Sequence, residues 1–100
     1  MSLYRLTAAA HADLLEIGRF TQQKWGRRQR IQYLERLEAT LTRLANNPEM
    51  GKRCDSIRAG YRTYPVGRHR LFYRPGPDGT VEVIRILHQA MSDQLLVSSP

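Results

Sequence analysis

Hydrophobic and polar positions change period twice along the chain. In "LYRLT", residues 3–7, they alternate weakly, which suits a short strand, and through "AAAHADLLEIGRFTQQKW" they follow helical spacing. Ala10, Leu14, Ile17 and Thr21 then share one face, with Thr7 placed to cap the first turn. Gly26 ends this helix and Arg27 opens another. In "RRQRIQYLERLEATLTRLANN", Leu34, Leu37, Leu41 and Leu44 recur at three and four residues as a narrow apolar seam. Two heptads are too few for a coiled coil, so the seam reads as packing against the first helix and a sheet. The pair is an αα-hairpin with a very short link.

The period returns to two in the second half. A long connection, "NNPEMGKRCDSIRAG", is punctuated by Pro48, Gly51 and Gly60; at that length a loop is usually functional or mobile. Three strands follow, around 61–66, 69–74 and 80–88, with Gly67 and "PGPDG" (Pro75 to Gly79) as the turns of a meander. The order βααβββ predicts an α+β fold in which a helical hairpin packs on one face of a small, mainly antiparallel sheet. Its 100 residues suit a single domain over 1–90 with a C-terminal tail over 91–100.

Two helices cover one face of such a sheet, so the other is expected to meet water or a partner. Along "VGRHRLFYRPG", His69, Leu71 and Tyr73 point one way, and Arg68, Arg70, Phe72 and Arg74 the other. The first set is assigned to the core, and Arg62 and Tyr64 are expected to extend the arginine face. A row of arginine has a plain reading as a solvated surface. It also has a functional one, because guanidinium groups around an aromatic ring suit planar anionic groups.

Charge sharpens that choice. The formal net charge is +7, from fourteen Arg and two Lys against nine acids, and it is unevenly spread: residues 1–50 carry +3 and residues 51–88 carry +5. Such a field implies an acidic partner, nucleic acid or an acidic protein segment. Other chemistry is thin. Cys54 has no second cysteine for a disulfide or a metal knuckle, and His11, His69 and His88 lack metal-ligand spacing, so neither metal nor cofactor is expected. Short apolar runs, such as Val83 to Leu87 broken by Arg85, exclude a spanning helix, and with no signal-peptide pattern the expected location is cytoplasmic.

The order of these pieces resembles the ParE toxins of the RelE/ParE superfamily, from type II toxin–antitoxin pairs. "YRLTAAAHADLLEIGRF" is similar to that family's opening strand and helix, and "YLERLEATLTRLANNPEMG" to its second helix and Pro-x-x-Gly loop. "GYRTYPVGRHRLFYR" and "VEVIRILHQAM" resemble its closing meander with Arg-x-Leu-His. Ala8 stands where the family commonly has proline, and "MSD" carries a serine where it often has Met-Asp. The resemblance implies a toxin that inhibits DNA gyrase and is neutralised by a ParD-like antitoxin with an acidic, initially disordered segment. Arg62, Tyr64, Arg68, Arg70, Phe72 and Arg74 are the expected antitoxin- or target-binding residues.

Two alternatives stand beside it. The RelE branch of the superfamily cleaves messenger RNA on the ribosome, which needs a base, an acid and cations around the phosphorane. His88, Arg85, Arg68 and Arg70 would carry that chemistry, with His69, Glu49, Tyr61 and Tyr64 as further candidates. Arg85 and His88 are three apart, however, and in a regular strand they oppose each other unless a bulge or the strand end intervenes. A non-toxic basic RNA-binding domain explains the charge, but Phe72 and Tyr64 are too few for an aromatic platform. A poison without turnover chemistry is therefore the expected activity.

Overall fold

The chain turns from strand to helix at Thr7. In this computed structural model, which describes residues 3–90, β1 (Tyr4–Leu6) leads into α1 (Ala8–Trp25). The Thr7 hydroxyl accepts from the Ala10 N–H at 3.1 Å and donates to the Ile84 carbonyl at 2.8 Å. One side chain thus caps the helix, as predicted, and fastens it to the last strand. Gly26 closes α1 and opens α2 (Arg27–Asn46) at φ +92°, a left-handed value that a side chain would strain. Ala10, Ile17 and Thr21 of α1 and Leu37, Leu41 and Leu44 of α2 are buried, with Leu14 and Leu34 half-buried beside them, so both predicted stripes form the core face of the hairpin.

After α2 come a 3-10 turn (Pro48–Met50), β2 (Lys52–Arg53), β3 (Arg62–Val66), β4 (His69–Pro75), a second 3-10 turn (Pro77–Gly79) and β5 (Val81–His88). The sheet runs β1-β5-β4-β3-β2, with β1 parallel to β5 and the other neighbours antiparallel. It carries one strand more than predicted, because β2 is two residues long and too short to show a period. Pro65 of β3 lies beyond the reach of β2, where its missing N–H costs no ladder bond. The tail assigned to 91–100 lies outside the described residues. Among those described, no helix is long and apolar enough to cross a membrane.

The pairing of β4 with β5 slips once. Phe72 faces Arg85 and Tyr73 faces Val83, leaving Ile84 as an extra residue on β5. The slip changes the phase of the strand. Val81, Val83 and Ile86 join the core under the helices, whereas Ile84 and Leu87 face the opposite side. A strand of strict alternation would have placed Ile84 and Ile86 together.

That opposite side is covered as well, which corrects the expectation of an open face. Phe72, Ile84 and Leu87 form a second, smaller core with Cys54, Tyr61 and the half-buried Ile57. The cover is the connection read as a functional or mobile loop. Its ends are joined by the Cys54 N–H to the Tyr61 carbonyl at 2.9 Å, and Asp55 accepts from the Gly60 N–H at 2.8 Å and from Arg53 Nε at 2.9 Å. On the helix side, the buried Tyr73 hydroxyl donates to the Pro48 carbonyl at 2.6 Å and accepts from the Gly51 N–H at 2.8 Å. A side chain on Gly51 would overlap that hydroxyl, so glycine is required there.

Candidate binding site

Folding scatters the predicted row of arginines. Arg74 forks onto Glu82, at 2.8 Å from Nε and 2.7 Å from Nη2. Arg70 lies on the same face of the sheet, with its guanidinium 5.1 Å from the centre of the Phe72 ring. Arg68 leaves the sheet altogether: it sits in the β3–β4 turn, 5.2 Å from the Trp25 ring of α1. Arg62 and Tyr64 pair with Tyr73 and Leu71, which places them on the helix side rather than the arginine face. There Arg62 donates to the Gly51 carbonyl at 2.7 Å, and Tyr64 packs on the main core. Phe72 is fully buried, so its ring is core and not part of the exposed surface that alternation suggested.

The residues named for a nuclease are divided too. Arg85 is committed to Asp13 of α1, whose carboxylate accepts from Arg85 Nε at 2.8 Å and Nη2 at 2.9 Å and also from the Ile86 N–H at 2.9 Å. Glu49 is exposed on the 3-10 turn, and Tyr61 belongs to the smaller core. Of all the residues named for that chemistry, Arg68, His69 and His88 share a cavity.

That cavity is an open concavity among the described residues. It encloses about 500 Å³ between the C-terminal end of α1, the start of α2, the β3–β4 turn and the end of β5. Phe20, Trp25, Tyr33, Arg68, His69 and His88 line it. The Tyr33 hydroxyl lies 2.6 Å from His69 Nδ1 and accepts from the Arg68 N–H at 3.2 Å, and the His69 and His88 rings meet edge to face at 5.4 Å. Gly67 passes so close to the Tyr33 ring, at φ +56°, that a side chain there would strike it. Sequence reasoning placed His69 on the core side correctly but overlooked Phe20, Trp25 and Tyr33. The available signal was their position: Phe20 and Trp25 are aromatic residues off the buried stripe of α1, and they remain 52% and 46% exposed.

Burial, reinforced by the neighbouring His88 and opposed by Asp13, lowers the pKa of His69 to about 4. The ring is therefore neutral at pH 7, and its Nδ1 shares a hydrogen bond with the Tyr33 hydroxyl, which also donates to the Val66 carbonyl at 3.3 Å. In the unfolded chain histidine titrates near 6.5. Between those values the unfolded state binds a proton that the folded state refuses, so stability is complete above about pH 6.5 and is lost as pH falls toward 4. The urea midpoint should decline over that window. His69→Phe should flatten the decline, and parallel curves for the two proteins would show that His69 is not its source.

Among the described residues no cluster of three or more histidine, cysteine or acidic side chains could hold a metal ion.

Comparison with known proteins completes the description. The family model described as "ParE toxin of type II toxin-antitoxin system, parDE" matches residues 4–93. The chain is 48% identical to Toxin ParE1 of Mycobacterium tuberculosis over 90 residues, covering 90% of this chain and 92% of that protein. It is 44% identical to Toxin ParE1 of Caulobacter vibrioides over 92 residues, covering 92% and 94%. Among solved structures, the chromosomal ParDE toxin–antitoxin system of Pseudomonas aeruginosa superposes with a TM-score of 0.74 at 19% identity over 88% of this chain and 96% of that one. The toxin–antitoxin complex RelBE2 of Mycobacterium tuberculosis follows at 0.61 and 24% identity, over 88% and 98%. Sheet order, hairpin and a chain-long sequence match agree, and the protein belongs to the ParE toxin family of type II toxin–antitoxin systems.

Proposed function

We propose that this ParE toxin arrests growth by inhibiting DNA gyrase, without turnover chemistry of its own, and that a ParD-like antitoxin silences it. The observation that carries the reading is the sequence match, near one residue in two over nine-tenths of the chain, to proteins named Toxin ParE1. The dispersal of His88, Arg85, Arg68 and Arg70 supports it against the nuclease alternative, because Arg85 is held by Asp13 and Arg70 lies over Phe72. The solved neighbours, a ParDE system and a RelBE2 complex, support an antitoxin partner. Of the expected contact residues, Arg70 presents its guanidinium on the sheet face away from the helices, where an acidic antitoxin segment would meet it by charge-assisted hydrogen bonds; Arg74 would exchange Glu82 for that segment, Arg68 would offer a separate contact at the β3–β4 turn, and Phe72, Arg62 and Tyr64 would act by fixing the strands.

The test uses purified protein with two candidate targets. Inhibition of supercoiling, or trapping of cleaved DNA, is expected only when gyrase is present, and ribosome-bound messenger RNA should stay intact. Site-specific cuts in translated message while gyrase works normally would overturn the reading and return His88 with Arg68 to the centre of a nuclease.

A further inference from the structure

We propose that the cavity between the ends of α1 and β5 binds a nucleobase together with its phosphate, presented by an unpaired stretch of nucleic acid or by a free nucleotide. This goes beyond the gyrase reading and does not depend on it. The cavity has the size of a small-ligand site. Its composition is more telling than its volume. Among the described lining residues, Phe20, Trp25 and Tyr33 are aromatic, Lys24, Arg36 and Arg68 are cationic, and none is acidic or a branched aliphatic.

Each part of that lining matches one part of the ligand. Phe20 and Trp25 meet edge to face, with centroids 6.3 Å apart and planes at 80°, so the pair cannot satisfy both ring faces by itself. Large exposed rings of this kind are the platforms on which bases stack. Lys24 Nζ lies over the Trp25 ring at 5.1 Å from its centroid and Arg68 Cζ over it at 5.2 Å, so a base stacking there would displace one of these long side chains, which would then be free to take the phosphate. No carboxylate is among the described lining residues; the nearest acidic influence is Asp13, which acts on His69 from the adjoining concavity and is itself paired with Arg85. At the inner wall, His69 engages Tyr33 through Nδ1, and His88 and Gln29 add polar edges suited to a base.

An acidic peptide is the competing ligand for such a lining, and what favours a base over it is the set of large exposed rings, Phe20 and Trp25.

Trp25 is the only tryptophan of the chain, so its fluorescence reports on the site directly. The purified protein would be titrated with single-stranded oligothymidine, with thymidine monophosphate and with polyglutamate. Saturable quenching by the oligonucleotide is expected, with log affinity falling against log salt at about 0.7 per phosphate held. Lys24→Glu and Arg36→Glu should each weaken it roughly tenfold, the loss of one charge-assisted contact, with circular dichroism unchanged. Arg43→Glu, in the last turn of α2 and away from the cavity, should leave it unaltered. Equal affinity for the monophosphate would identify a free nucleotide as the ligand; a requirement for the oligonucleotide would identify the nucleic acid. No quenching by either, wild-type affinity in Lys24→Glu, or quenching by polyglutamate as strong as by the oligonucleotide would each overturn the proposal. A protein that inhibits gyrase and binds no nucleotide would refute the site and leave the toxin reading standing.

Discussion

Asp13→Ala should lower the stability of the protein by about 3–5 kcal/mol, the usual consequence of removing one partner from a buried ion pair. The Asp13 and Arg85 side chains are only 15% and 19% exposed, so water replaces little of what is lost. Three donors are orphaned at once: two guanidinium N–H groups and the Ile86 backbone N–H, which sits on β5 beyond the last residue paired with β1. The guanidinium is the costlier of these, because it cannot lose its charge. Arg85→Met in the same background should therefore restore a large part of the loss. Urea denaturation of the two variants beside wild type decides the matter. A single variant within about 1 kcal/mol of wild type, as for an exposed pair, would mean that water reaches Arg85.

The second large effect concerns a residue whose position in the sequence suggested a contact surface. Phe72→Ala should cost about 3–5 kcal/mol, the range for emptying an aromatic side chain from a core. Phe72 is fully buried among Cys54, Tyr61, Ile84 and Leu87, and its removal leaves both the cover loop and the bulged segment of β5 without a centre. Function should then be lost in proportion to unfolding. Activity that recovers on cooling, as the folded fraction recovers, is the expected pattern. A variant as stable as wild type but inactive would make Phe72 a contact residue after all.

Much of the fold was legible because it is local. Thr7 as a cap, Gly26 as the hinge of the hairpin and the leucine seam of α2 each depend on residues within one or two turns. The far side of the sheet was not legible for the opposite reason. Which residues of β3 share a face with β4 is decided by register, and Arg62 opposite Tyr73 reverses the face that alternation along one strand had suggested. The extra residue at Ile84 has no local mark either, since any one residue of an apolar run could be the unpaired one. The candidate site suffered from both limits. His69 and His88 are 19 positions apart and meet only because they are cross-strand partners, while Tyr33 reaches them from the helical hairpin. Phe20 and Trp25 were visible as aromatics off the helix stripe, but their neighbours Arg68 and His88 were not.

The pairing of β1 with β5 joins Tyr4 to Val81, and the Thr7 hydroxyl reaches Ile84 across 77 positions of sequence. A contact of that separation is slow to form, because the entropy of closing the loop is given up before the contact returns anything. During synthesis the first strand emerges early and waits on the order of seconds for β5, its neighbour in the sheet, to be made. The fold is thus completed by nearly the last residues of the domain to be translated. A message broken or stalled before those codons yields a chain whose first strand lacks the neighbour it has in the finished sheet.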